Sequence, residues 1–222
     1  MVNAYFFPNS VLNILGGLVA LAVSYYAYRY GRITGSGFLR TLSIGFMMLG
    51  VGLLAQASAF IFFALEAGRI ADRGIFVYSA TLVYLALQAV AYLMIAVSYS
   101  RRVRRGPKLA GGTAAVVTIK VASTPSSLLL FGTHVLEFGE LILVVLVALI
   151  VFQGLLIYGE NRNRLALTVM GAFALILLAH IAELSASLLS SGLLYLVGDL
   201  VQLAGFGLLL LFVLRSGPDG GN

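Results

Sequence analysis

The chain alternates long apolar runs with short polar segments, and the runs are longer than a soluble helix needs. They cover about 10–29, 41–65, 77–98, 139–158, 165–187 and 192–214. Each is close to or above the roughly 18–20 residues that carry a helix across the hydrocarbon core of a bilayer. The pattern predicts an all-α integral membrane protein, a polytopic bundle of six or seven transmembrane helices. Composition agrees: only 10% of residues are charged, where a soluble domain carries about 25%.

The polar flanks set the orientation. Tyr25, Tyr26, Tyr28 and Tyr30 stand beside Arg29 and Arg32, where an interfacial aromatic belt belongs. The third run ends in a basic cluster, Arg101, Arg102, Arg104, Arg105 and Lys108, that faces lipid headgroups and fixes topology. The positive-inside rule then gives an outside N-terminus, loop 30–40 inside, loop 66–75 outside and 101–108 inside. This predicts a multi-pass protein of the cell membrane. The start, MVNAYFFPNS, lacks the basic region of a signal peptide, so the first run is read as a retained span. The net charge of +6 sits at helix ends, which argues against a nucleic-acid partner. The expected neighbours are the lipid bilayer and other membrane subunits or a second copy of the chain.

Residues 109–132 admit two readings. As a helix they are barely apolar enough to cross, with Lys120 near the middle and Pro125 inside. Alternatively they form a connector, and Ser123-Thr124-Pro125 opens a long helix with proline in its first turn. Positive charge at Arg162, Arg164 and Arg215 favours seven spans and an inside C-terminus; Lys120 and Pro125 favour six.

The two halves of the chain resemble each other. Laying the second run on the fifth sets Gln56 against His180 and Ala59 against Glu183; laying LVYLALQAVAYL on LLYLVGDLVQLA sets Gln88 against Asp199. This predicts two three-helix repeats, 1–108 and 133–222, joined by 109–132. The repeats are inverted if the connector stays on one side and parallel if it crosses.

The unusual polar residues fall in the second half. Both histidines precede a glutamate by three residues, His134 with Glu137 and His180 with Glu183, a spacing that puts each pair on one helix face. Glu140 and Asp199 lie on the same membrane side as these pairs, whichever span count holds. Ionisable groups inside a bilayer cost a few kcal/mol each and face a bundle interior or cavity. A His–x–x–Glu couple that pairs with itself lowers that cost and need do nothing more. Glu137, Glu140 and Asp199 also fit the plain role of acids near a helix start.

Three chemistries fit the cluster. His134, Glu137, His180, Glu183 and Asp199 offer nitrogen and carboxylate ligands to a transition metal. His134 and His180 offer axial ligands to haem b, with Gly139, Gly171 and Gly198 giving it room. Glu183 and Asp199 offer a proton or cation relay. The leading expectation is a non-catalytic metal- or haem-binding subunit of a membrane redox complex. A small proton- or cation-coupled transporter and a scaffold or sensor module are the alternatives. An enzyme has least support: there is no nucleotide loop, HExxH helix or GxSxG elbow. Cysteine is absent, and the last run holds no lysine for a retinal Schiff base.

Overall fold

A computed structural model describes residues 3–65, 73–103, 128–162 and 164–215. All of the described elements are helices: α1 (Asn3–Ile33), α2 (Gly37–Leu65), α3 (Arg73–Val103), α4 (Leu128–Asn161), α5 (Arg164–Leu189) and α6 (Gly192–Arg215). Each contains a stretch long and apolar enough to cross a membrane. Most overrun the apolar runs at one or both ends, because polar and aromatic flanks extend the helix beyond the stretch that hydropathy detects. α4 shows this most, starting at Leu128 rather than near Gly139. The predicted connector 109–132 therefore ends as the first turns of α4; its residues 109–127, with Lys120 and Pro125, lie outside the described residues, as do Arg104, Arg105 and Lys108 of the basic cluster.

The distribution of side chains is that of a protein in lipid. Leu18, Met47, Leu93, Phe152, Leu178 and Leu211 point outward and are half or more exposed, while Asn13, Gln56, Gln88, His180 and Gln202 are buried. Nothing drives apolar side chains inward when the solvent is itself apolar. Polar groups turn inward instead, where they find partners.

The helices close a ring. Each packs on its chain neighbours, α3 packs on α4, and α1 packs on α6. Small residues let the backbones approach: a Cβ on Gly50 would lie 3.0 Å from the Gly17 carbonyl oxygen, and one on Gly205 would lie 3.0 Å from that of Ala172. Large side chains fill the middle. Phe46 of α2 meets Phe206 of α6 edge to face, and Tyr99 of α3 meets both Phe38 of α2 and Phe173 of α5.

Contacts fix the helix directions. Ser24 of α1 donates to the Ser43 carbonyl of α2 at 2.8 Å, and Asn13 donates to Gln56 at 3.4 Å, so α1 and α2 are antiparallel. Gly139 near the start of α4 faces Leu85 of α3. Further along, Gln153 donates to Ser100 at 2.7 Å. α3 and α4 therefore run parallel, which leaves Val103 and Leu128 at opposite ends of the bundle. α1 begins at the same end as α4 and α6, and α6 finishes at the other.

Candidate functional site

Where α1, α3, α4 and α6 begin and α2 and α5 finish, the ring holds a partly enclosed cavity of about 550 Å³. Asn9, Asn13 and Gln56 line it from α1 and α2, Tyr84 from α3, Glu140 from α4, Glu183 from α5, and Tyr195 and Asp199 from α6. Phe60, Leu85, Leu136 and Ala186 add apolar wall.

His180 stands behind this lining and is completely buried. It lies nine residues before the end of α5, roughly 13 Å of helix, so it sits within the membrane. Its Nδ1 is 3.1 Å from Glu140 Oε2 and 3.3 Å from Glu183 Oε2. The Glu183 contact is the i,i+3 pairing that the sequence predicts; the Glu140 contact crosses from α4. On the other side of the ring, Nε2 is 3.2 Å from the Tyr92 hydroxyl, and Gln202 lies against the same hydroxyl. The Tyr92 and His180 rings meet edge to face. The imidazole is thus held at both nitrogens.

The two carboxylates compete for one imidazole nitrogen. A ring nitrogen carries at most one hydrogen, so Nδ1 cannot donate fully to two carboxylates at once. Potential ligand atoms of Glu140, His180 and Glu183 all lie within 4.8 Å of one another. Asp199 adds a third carboxylate to the same cavity. Among the described residues, the ion-pair partner of Glu140 and Glu183 is His180, with no lysine or arginine. Three buried or half-buried acids against one imidazole must share protons or take up a cation, because a low-dielectric site tolerates unbalanced charge poorly.

The other sequence-derived candidates are placed differently. His134 lies on α4 and pairs with Glu137 at 2.8 Å, but its side chain is 71% exposed, and the group of three does not include it. Arg101 is exposed at the opposite end of α3, and Arg102 follows it on the same helix. Neither histidine lines the cavity, and two of the three glycines expected to make room for a haem have their space filled. A Cβ on Gly139 would meet Leu85 at 3.1 Å, and one on Gly198 would meet Glu183 Cγ at 2.9 Å.

Gly198 has another role. Its missing side chain lets α6 lie against Glu183 and the Ala179 carbonyl. Gly198→Val should push α6 off α5 and displace the Glu183 carboxylate. We expect a stability loss of about 1–3 kcal/mol, measured as earlier unfolding in detergent.

Sequence reasoning overlooked Tyr92 and Gln202. Tyr84, Gln88 and Tyr92 follow one another four residues apart on the third apolar run, a stripe that signals Tyr92; Gln202 stands among the polar residues of GDLVQ on the last run. Comparison of the chain with protein-family models, with curated proteins and with solved structures gave no match, so function has to be argued from this geometry.

Proposed function

We propose that this protein is a membrane-embedded metal-binding protein that takes a divalent transition-metal ion between Glu140, His180 Nδ1 and Glu183. The observation that carries the reading is the buried excess of carboxylate around one imidazole. One nitrogen and two carboxylate oxygens form a donor set suited to zinc, manganese or iron. Tyr92 would act from outside the ligand set, fixing the ring so that Nδ1 faces the carboxylates while Nε2 carries the proton. Three protein ligands leave part of the coordination sphere open, and the cavity lined by Glu140 and Glu183 lies on that side. Binding, sensing or delivery of the ion is the role this supports; the aromatic packing beneath the site gives transport no comparable observation.

The charge distribution supports an orientation. Arg29, Arg32, Arg40, Arg101, Arg102, Arg162, Arg164 and Arg215 fall at the end opposite the cavity, with Glu160 the one acid among them, whereas Glu137, Glu140, Glu183 and Asp199 fall at the cavity end with Arg73, among the described residues. By the positive-inside rule the cavity faces the outside and the N-terminus lies there too.

Cobalt(II) tests the metal site directly. Added to the purified, metal-stripped protein, it should give a visible absorption band that saturates at one ion per chain and is displaced by zinc. A spectrum identical to that of free cobalt would overturn the reading.

A further inference from the structure

The cavity is far larger than an ion needs. At about 550 Å³ it falls in the range of small-molecule sites, and its polar groups divide into two chemically different walls. The shift along the chain that carries Asn13 onto Glu140 also carries Gln56 onto Glu183, Asn9 onto Leu136 and Phe60 onto Ser187. A second shift carries Tyr84 onto Tyr195 and Thr81 onto Gly192. All twelve residues line the cavity. The two halves of the chain thus present corresponding positions to one space, but the first half places amides where the second places carboxylates.

Two groups in this lining lack a partner. The Asn9 side-chain oxygen is shielded from solvent and accepts no hydrogen bond. The Asp199 carboxylate has no hydrogen bond or ion pair among the described residues, and it stands outside the group formed by Glu140, His180 and Glu183. A shielded acceptor on one wall asks for a neutral donor. A carboxylate free of the metal ligands on the other asks for a cation, and the nearby Tyr84 and Tyr195 rings suit an ammonium group. Phe60, Leu85 and Leu136 cover carbon rather than water.

We propose that the cavity binds a small organic ammonium compound that also carries neutral hydrogen-bond donors. Its ammonium lies at Asp199, and its hydroxyl or amide groups lie on Asn9, Asn13 and Gln56. This site shares the cavity with the metal site but uses other side chains, so either can exist without the other.

Glucosamine, ethanolamine and spermidine serve as probes for the full-length protein in detergent, read by calorimetry and thermal shift. N-acetylglucosamine and glucose are the uncharged controls. At least one amine should bind more tightly than about 1 mM, and the uncharged sugars should not. Asp199→Asn should weaken that amine at least tenfold, and Asn13→Leu should weaken the hydroxylated amines more than spermidine. Neither change should alter cobalt binding. Equal binding of glucosamine and N-acetylglucosamine, or no binding by any amine, overturns the proposal. Loss of cobalt binding in Glu183→Gln with amine binding kept separates the two sites; cobalt binding lost in Asp199→Asn would merge them and also overturn it.

Discussion

His180→Ala is expected to weaken cobalt and zinc binding by at least about a hundredfold, because it removes the nitrogen donor of a three-ligand site. Losing even a residue that merely orients a ligand commonly costs 10–100-fold, so losing the ligand itself costs more. Glu183→Gln should have a comparable effect, since an amide oxygen carries no charge. His134→Ala is the informative control. Its imidazole is exposed and pairs locally with Glu137, so its removal should leave affinity unchanged within about twofold. Binding should also fall as pH drops, since protons compete for the imidazole and carboxylates that the ion requires. If His134→Ala and His180→Ala prove equally damaging, the ligand set proposed here is wrong.

The second large effect concerns sidedness and is close to all-or-none. The chain contains no cysteine, so single introduced thiols report without background. Ser36→Cys in the α1–α2 turn and Arg162→Cys in the α4–α5 turn should resist a membrane-impermeant maleimide in intact cells and react after permeabilisation. Ser190→Cys in the α5–α6 turn and His134→Cys on α4 should react in intact cells. The decisive pair is Ser36 with Arg162, because the two turns share an end of the bundle only if α3 and α4 run parallel. Labelling of the two from opposite sides would contradict the packing of Gly139 on Leu85 and of Gln153 on Ser100.

Much of this was legible in the sequence, for reasons that differ by residue. The helices follow from apolar length, which needs no knowledge of tertiary contacts. The His180–Glu183 pairing follows from a three-residue spacing on one helix. Glu140 was grouped with His180 and Glu183, beside which it lies, but read as a helix-start acid, because the apolar run begins beside it; α4 in fact starts at Leu128, which puts Glu140 well inside the helix. Tyr92 was invisible for another reason. A tyrosine in a membrane helix is usually explained by the interface, and only packing across the ring shows it turned inward onto His180. For the two halves, the sequence sets Gln56 against His180, whereas the residues that line the cavity are Gln56 and Glu183. Apolar sequence slides easily against itself, and the lining of a shared space is a stricter guide.

The layer of aromatic rings below the site has a bearing on bioenergetics. Phe46 against Phe206, and Tyr99 between Phe38 and Phe173, set packed rings between the polar groups of the cavity and the basic face. In the orientation proposed above, rings packed this tightly below the acids would let a cell keep them at this depth, facing outward, without a cost to its proton-motive force.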